Sequence, residues 1–310
     1  MKKFAMAAVA AAALSAGVAQ AYTVGTFSNG LVVPNVIHNG ATDTTAVGLI
    51  NQSGATRAIY WTFFDQDSNH ITDGCFTMTD KDYQPFVWSA QSGGGLAGVR
   101  GYLVFAGGAT GAVAQTACAG AAVLAAPADV QLAANAFQVN TGSQDVAFTP
   151  VIDGPLTIAA AIDITKMDNL SLTAVGGAAQ VAAGPAATQF SMRYAVDQVA
   201  GGTDTAIAVW STGDHKGTHT VNIYDDKQDR KSVNFTLTKA ELDFFNPETI
   251  LGLPATHKDG FIEWAPNAAL PTGAPAANSL FALGGSVFTY SLIAAPAFGA
   301  VQSVLGAHRL

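Results

Sequence analysis

An alternation of apolar and polar residues with a period of two runs through much of this chain. In the segments 57–64 and 217–224, alternate side chains fall on one face, as in a half-buried strand. Those side chains are Ile59, Trp61 and Phe63 in the first segment, and His219, Val221 and Ile223 in the second. Short apolar runs at 45–50 and 206–211 are separated from these segments by turn-forming residues. The pattern predicts an all-β fold.

Four blocks of sequence occur twice, in the same order and 159 to 161 residues apart. The paired blocks begin at Thr42 and Thr203, at Phe63 and Ile223, at Phe76 and Phe235, and at Gly101 and Gly260. A period of this length indicates an internal duplication of a domain and not a solenoid of short repeats. We therefore expect two related sandwich-like lobes, at 22–165 and 166–310, packed about a pseudo-twofold axis.

Comparison of the two copies separates core positions from surface positions. Three tryptophans stand opposite an apolar residue of the other copy: Trp61 opposite Val221, Trp210 opposite Leu49, and Trp264 opposite Phe105. These three are predicted to lie in the core, because both copies keep the position apolar. Trp88 stands opposite Pro247 in a loop-like stretch and is predicted to be exposed.

Each copy also carries a Thr-x-x-acid motif directly after a predicted strand. The motif joins Thr79 to Asp82 in the first copy and Thr238 to Glu241 in the second. In such a capping box the hydroxyl accepts from a backbone N–H of the first turn, and the acid reaches back to the threonine N–H. The motif predicts one short helix in each lobe at these positions.

The N-terminus has the features of a signal peptide. Lys2 and Lys3 precede an apolar run over 4–18, and the run ends in the small residues Ala19 and Ala21. Cleavage is expected after Ala21, which defines 1–21 as the signal peptide. An exported protein is therefore predicted, in the periplasm, on the outer surface or outside the cell.

Composition and charge exclude several classes of partner. The chain has 14 basic and 22 acidic residues, and loss of 1–21 removes two lysines, which leaves 12 against 22 and a net charge of −10. This balance argues against nucleic acid and anionic lipid as partners. The segments 101–128 and 265–307 contain no charged residue. Their small, Pro- and Gly-containing composition favours strands and loops, so no transmembrane helix is expected, even in the best candidate, 286–307.

Two cysteines, Cys75 and Cys118, are the only ones in the chain. An even count in an oxidising compartment favours one disulfide between them. Their separation of 43 residues is not a metal-ligand spacing.

An acidic turn offers a candidate calcium site. Its oxygen-bearing side chains are Asp65, Asp67, Asn69 and Asp73. The EF-hand pattern fails, because His70 and Phe76 stand where glycine and glutamate are needed. Turn formation alone is the alternative, since Asp and Asn side chains cap turns. Zinc or copper at His215 and His219 is a weaker alternative to solvated loop histidines, because the pair does not lie on a helix.

Candidate ligand-binding and catalytic residues are few. Trp88 with the nearby Tyr83 is the best candidate for a ring-stacking platform, for example for a glycan. The segment 210–213 lacks the first glycine of a nucleophile elbow. The arrangement of strand, acidic turn and strand is similar in kind to immunoglobulin-like and fibronectin-like sandwich modules of secreted proteins, without a diagnostic motif.

These patterns favour an exported, non-enzymatic protein of the cell envelope or cell surface. It would act through structural, adhesive or self-association contacts, to which the uncharged segments 101–128 and 265–307 would contribute through unpaired strand edges. A ligand-binding module for a glycan or Ca²⁺ is the first alternative. An enzyme whose site is assembled from distant loops is the second.

Overall fold

In a computed structural model the protein is built almost entirely of β-strands, which confirms the predicted all-β class. The described residues are 26–93, 95–110, 118, 123–124, 129–141, 145–152, 157–158, 162–165, 172–174, 179–180, 189–266 and 286–309. The predicted signal peptide at 1–21 lies outside them.

The described residues of the first half of the chain form nine strands and one helix. The strands are β1 (Gly30–Val36), β2 (Asp43–Asn51), β3 (Arg57–Asp65), β4 (His70–Met78), β5 (Asp82–Val87), β6 (Gly101–Thr110), β7 (Val123–Leu124), β8 (Leu132–Asn140) and β9 (Asp145–Thr149), and the helix is α1 (Trp88–Gln91). Sheet 1 has the order β5-β2-β8-β9, and sheet 2 has the order β1-β6-β3-β4. The two sheets enclose one apolar core, to which Leu49, Trp61 and Phe105 contribute. We call this unit the first lobe.

Four short strands connect the halves, and nine more form the second lobe. The connecting strands are β10 (Thr157–Ile158), β11 (Ile162–Asp163), β12 (Leu172–Ala174) and β13 (Ala179–Gln180). The second lobe contains β14 (Gln189–Ala195), β15 (Asp204–Ser211), β16 (Gly217–Asp225), β17 (Arg230–Leu237), β18 (Leu242–Phe245), β19 (Asp259–Trp264), β20 (Ser286–Ala295), β21 (Ala300–Leu305) and β22 (Ala307–Arg309). Two 3-10 turns are added at Pro247–Thr249 and Pro296–Phe298.

The second lobe repeats the strand order of the first. Sheet 3 runs β18-β15-β20, with β13 and β21 both pairing with β20, and sheet 4 runs β17-β16-β19-β14-β22. Sheet 3 thus corresponds to sheet 1, and sheet 4 corresponds to sheet 2. These two sheets enclose a second apolar core, which contains Val209, Val221 and Trp264.

The correspondence extends to single residues. Asp65 pairs with Gly101 at the end of β3, and Asp225 pairs with Gly260 at the end of β16. Thr79 follows β4 as Thr238 follows β17. One topology with matched residues is what duplication of a domain predicts.

The lobes stack head to tail, and not about the expected pseudo-twofold axis. A third apolar core lies between sheet 2 and sheet 3, so the four sheets form four layers in the order 1, 2, 3, 4. Tyr60 and Tyr102 of sheet 2 share this core with Trp210 and Tyr290 of sheet 3. A twofold axis would bring equivalent sheets together, whereas sheet 2 meets the counterpart of sheet 1. The contact is therefore heterologous.

Two local predictions are corrected. The Thr-x-x-acid segments form turns and not helices: Asp82 accepts from the Thr79 N–H at 3.3 Å, but the chain enters β5 at once. The helical turns come after the next strand, at Trp88–Gln91 in the first lobe and Pro247–Thr249 in the second. The prediction placed them one strand too early, because a capping box also fits a turn into a strand.

The pairing of Leu49 with Trp210 is also wrong by one residue. Leu49 faces the core of the first lobe. The residue of β15 that faces the core of the second lobe in the same way is Val209. Trp210 points to the other side of β15, into the core between the lobes. It is buried as predicted, like Trp61 and Trp264, but in a different core.

The longest strands of the uncharged segments are central strands. Residues 101–110 form β6 inside sheet 2, and 286–295 form β20 inside sheet 3, so the expectation of unpaired edges is wrong for these two strands. In the same segment β21 pairs with β20 and lies at an edge of sheet 3, whereas most of 111–128 and all of 267–285 lie outside the described residues. Within the described part of the chain, no helix is long and apolar enough to cross a membrane.

Candidate functional site: an exposed apolar sheet face

The outer face of sheet 1 is apolar across all four strands. In β2 and β8 the side chains at 47, 49, 134 and 136 face the core, so alternate residues face outward. We call these outward residues the apolar face. It consists of Ala46, Gly48 and Ile50 of β2, Tyr83, Pro85 and Val87 of β5, Ala133, Asn135, Phe137 and Val139 of β8, and Val146 and Phe148 of β9, with Thr44 at one end.

Cross-strand pairing makes this surface continuous. Val87, Ala46, Phe137 and Phe148 form one row across the sheet, with Phe137 and Phe148 in edge contact at 6.0 Å between ring centroids. The Tyr83 ring lies over Gly48, where an added Cβ would be 2.5 Å from the Tyr83 hydroxyl. Glycine at position 48 therefore lets an aromatic ring lie flat on the sheet.

The apolar face is open to solvent and carries no charged side chain. Tyr83 is 63% exposed, Val146 is 54% exposed and Phe137 is 38% exposed. Its two polar residues are Asn135, which is exposed, and Thr44, whose hydroxyl accepts from the Ser89 N–H at 3.0 Å. Contiguous apolar surface of this kind is typical of an interaction site.

The other outer layer of the molecule has the opposite character. The outward side chains of sheet 4 include Thr218, Thr220, Asn222, Arg230, Ser232, Asn234, Thr236, Arg193 and Glu263. They satisfy one another: Asn222 accepts from Arg230 at 2.8 Å and donates to Glu263 at 3.2 Å. The outer face of sheet 4 is thus mainly polar, apart from the stacked rings of Tyr224 and Phe261, and the apolar face differs from it.

The predicted stacking platform is not formed. Tyr83 is exposed, but Trp88 is fully buried, so the prediction that Trp88 is exposed is wrong. Trp88 begins α1, which turns its ring back into the sandwich, 4.4 Å from the Phe63 ring and 6.1 Å from the Trp61 ring between centroids. The loop-like sequence did not reveal this, because the helical turn that redirects the ring is a tertiary feature.

The four side chains of the candidate calcium site do not converge on one point: Asn69 donates to Asp65 at 2.9 Å, whereas Asp67 and Asp73 have other partners. The Asp65 carboxylate caps its own turn, accepting from the N–H groups of Asp67 and Asn69 at 2.9 Å each. Asp73 contacts His70 at 3.1 Å. Asp225 caps the matching turn of the second lobe, accepting from the N–H groups of Lys227 and Asp229. Among the described residues, no group of three or more His, Cys, Asp or Glu could hold a metal ion.

Asp67 instead belongs to the joint between the lobes. Its carboxylate accepts from the Lys239 ammonium at 3.1 Å and from the Ala240 N–H at 3.0 Å. The Gln66 carbonyl next to it accepts from the N–H groups of Glu241 and Leu242. The acidic turn of the first lobe is therefore a docking element for the second.

Glu241 is buried at this joint, and its Oε2 has no hydrogen-bond partner. Burial, opposed by a hydrogen bond from Ser68 and reinforced by the carboxylates of Asp214, Asp67 and Asp65, raises the pKa of Glu241 to about 7. The joint therefore contains a carboxyl group that favours its neutral form.

The predicted disulfide pair is confirmed as a contact at bonding distance. Cys75 and Cys118 are joined, with their Cα atoms 5.1 Å apart. Cys75 pairs with Tyr60 across sheet 2, and Asn234 pairs with Thr220 at the matching place in sheet 4. The bridge therefore belongs to the first lobe alone.

Sequence reasoning missed a buried cluster of serine, histidine and aspartate. Ser211 Oγ lies 2.8 Å from His215 Nδ1, and His215 Nε2 lies 3.1 Å from Asp243 Oδ2. His215 is 0% exposed and His219 is also buried, so the prediction of solvated loop histidines is wrong. Burial, opposed by the hydrogen bond to the His215 carbonyl, lowers the pKa of His219 to about 4.

The cluster does not have the geometry of a hydrolase triad. There Nε2 faces the serine and Nδ1 faces the carboxylate, whereas here the ring nitrogens are reversed. The Ser211 hydroxyl donates to the Gly213 carbonyl at 2.5 Å, so it does not give its hydrogen to the ring. Burial alone would raise the pKa of Asp243, but the hydrogen bond and charge of His215, with the N–H groups of Lys239 and Thr238, hold it below its usual value. The cluster is a closed polar network that fixes a corner of the lobe.

Comparison with known protein families, with curated proteins and with solved structures found no significant match. The surface of the molecule is therefore the guide to its function. The alternation in β8 and β9 was the available signal for the apolar face, but alternation alone does not say which of two apolar faces stays exposed.

Proposed function

We propose that this is an exported, non-enzymatic protein of the cell envelope or cell surface, which works through contacts made by its apolar face. The observation that carries the proposal is an uncharged, exposed sheet face on a molecule whose opposite outer sheet is polar. Removing apolar surface from water is favourable by about 25 cal/mol of free energy for each Å², so the apolar face would bind a complementary apolar surface.

Export is supported by the sequence pattern at 1–21 and by the bonded pair Cys75 and Cys118, since disulfides persist in oxidising compartments. Two of the strand edges, those of β5 and β17, are poor contact sites by comparison. Pro85 interrupts the hydrogen-bonding edge of β5, and Arg230 and Lys231 place charge on the edge strand β17. The face, and not an edge, is therefore the surface to test.

The alternatives have weaker support. For a ring-stacking site only Tyr83 is exposed, because its expected partner Trp88 is buried in the core. The best described candidate for catalysis is Ser211 with His215 and Asp243, and its burial separates it from any substrate in solution.

The test compares two matched variants in the native host. Phe137→Lys places a charge on the apolar face, and Phe261→Lys places one on the outer face of sheet 4, where Phe261 is 36% exposed. Cell fractionation and surface protease shaving should find the wild type and Phe261→Lys in the envelope or surface fraction, and Phe137→Lys released from it. Equal attachment of all three folded proteins would show that the apolar face is not the contact surface.

A further inference from the structure

The apolar face has the composition of the faces that this molecule buries between its lobes. The outer face of sheet 2 and its counterpart on sheet 4 can be compared position by position. Tyr60 and Val104 on the buried face correspond to Thr220 and Glu263 on the solvated one. At these two positions the covered face is apolar and the solvated face is polar.

The second lobe shows how the counterpart of the apolar face is covered. Sheet 3 corresponds to sheet 1, and its outward side chains Trp210, Leu242, Phe288 and Tyr290 are buried against sheet 2. That contact is sheet on sheet and mainly apolar, with the Arg100 guanidinium over the Phe244 ring as a charged group beside it. Because the lobes stack head to tail, no sheet formed by the described residues covers the outer face of sheet 1, which is a face of the same kind.

The sheets of this chain leave one complementary surface for it. The outer faces of sheets 2 and 3 are already buried on each other. The outer face of sheet 4 carries Arg193, Arg230 and Glu263, which would lose water without partners on an uncharged face. Within the described residues, the remaining apolar sheet face is the apolar face itself.

We propose that the apolar face binds a second copy of this chain, with the two copies of sheet 1 packed face to face about a twofold axis. This inference rests on the proposed contact function and names its partner. The chain has a surplus of eight acidic residues, so most self-contacts would oppose like charges, but this face brings no charge to the axis.

Asn135 suits such an arrangement. It is an exposed polar side chain in the middle of β8, opposite Gly48 and beside the Tyr83 ring that lies over that glycine. An amide both donates and accepts, so it is able to pair with its own copy across a twofold axis. A single polar pair in an apolar contact would fix the register of the two sheets.

The experiment measures the mass of the disulfide-bonded mature protein by sedimentation equilibrium and by light scattering after size exclusion. The wild type is expected at twice the monomer mass, with concentration-dependent dissociation. Phe137→Lys is expected at the monomer mass, because two ammonium groups would face each other across the axis in an apolar contact. Phe261→Lys is the control and is expected to remain dimeric, since its outer face does not take part.

Circular dichroism and the thermal midpoint establish that each variant is folded. If Phe137→Lys does not fold, Val146→Lys, at a 54% exposed position of the same face, replaces it. A monomeric wild type, or a dimer that survives a folded charge variant of the apolar face, would overturn the second-copy inference. A monomeric wild type whose envelope attachment is still lost in Phe137→Lys would leave the contact function standing and assign the face to a different partner.

Discussion

Different side chains fix the equivalent corner in the two lobes. The corner between the second and third strands is fixed in the first lobe by Asn51, whose side-chain NH₂ group donates to the carbonyls of Ala55, Met78 and Thr79. The second lobe uses Ser211, His215 and Asp243 at its corner. A neutral amide in the first lobe thus has the same place as an ionisable network in the second. This gives the Ser-His-Asp cluster a structural role.

The first prediction is that Asp243→Asn destabilises the protein by about 3–5 kcal/mol, because it removes the charge from a buried, hydrogen-bonded pair. Asp243 also accepts from the Thr238 N–H at 3.1 Å and from the Lys239 N–H at 3.0 Å. Urea denaturation measures the loss. Asp82→Asn is the control and should cost less than about 1 kcal/mol, since Asp82 accepts one exposed hydrogen bond.

The same cluster predicts chemical inertness at Ser211. A fluorophosphonate probe should not label the folded protein at this residue, because its hydroxyl is buried and donates to Gly213. Stoichiometric labelling of Ser211, located by peptide mass spectrometry, would instead support the enzyme alternative.

At the scale of elements, both lobes need a glycine where a hairpin meets its neighbouring strand. An added Cβ at Gly101 would lie 1.9 Å from the Phe64 carbonyl oxygen, and one at Gly260 would lie 1.8 Å from that of Tyr224. The backbones approach this closely because the last residues of β3 and β16 pair directly with these glycines. The two hairpins therefore share one steric constraint.

Gly101→Ala and Gly260→Ala are each expected to lower the free energy of unfolding by about 2–4 kcal/mol, since the backbone must move to admit the methyl group. Gly54→Ala, whose Cβ would meet nothing within 4 Å, should cost only about 1 kcal/mol for its positive φ of 70°. Thermal midpoints of the three variants check the order, and a Gly101→Ala protein as stable as the wild type would contradict the close packing.

At the scale of the whole molecule, the joint between the lobes combines an apolar core with a polar rim that responds to pH. Trp210 and Tyr102 meet across the joint at 5.8 Å between ring centroids. At the rim, Glu241 lies near Ser68 and Tyr102, with Asp65, Asp67 and Asp214 as like charges, and Asp67 is paired to Lys239 and, at 4.0 Å, to Lys216. The contact between the lobes thus buries the Glu241 carboxyl group close to three other carboxyl groups.

We predict that Glu241 contributes a loss of stability as pH rises from about 4.5 to about 7, which opposes the gain from His219, whose pKa falls on folding from 6.5 to about 4. The pKa of Glu241 rises on folding from 4.5 to about 7, so the folded state holds a proton that the unfolded chain releases in this window. The contribution is present below pH 4.5 and lost through pH 7, by about 3 kcal/mol. Glu241→Gln should remove this loss, so its curve of unfolding free energy against pH should rise relative to the wild-type curve in this window, and two curves of equal slope would contradict the assignment to Glu241.

Export is a property of the whole chain and remains a prediction. The mature protein is expected to begin at Tyr22, because Ala19 and Ala21 supply the small residues that signal peptidase reads. N-terminal sequencing of protein recovered from its native cells checks this. An intact Met1, or a first residue beyond about position 25, would be inconsistent with the site.

The amino-acid sequence by itself determined the elements and their repetition. The period of two at Ile59, Trp61 and Phe63 specifies strands, because side chains of a strand alternate between its faces. Capping of turns by Asp65 and Asp225 is equally local, since the carboxylate binds N–H groups two and four residues on. Matching blocks then predicted two related lobes without knowledge of their contacts.

Tertiary structure alone decided which faces are covered. A shift of one residue moves a strand's side chains to the opposite face, so Trp210 lies between the lobes although the repeat aligned it with Leu49 of the inner core. Trp88 is buried because a helical turn redirects it, which local sequence did not indicate. The apolar face around Phe137 is exposed only because the lobes stack head to tail. Both faces of an apolar strand favour burial, and the packing of distant strands determines which one remains in water.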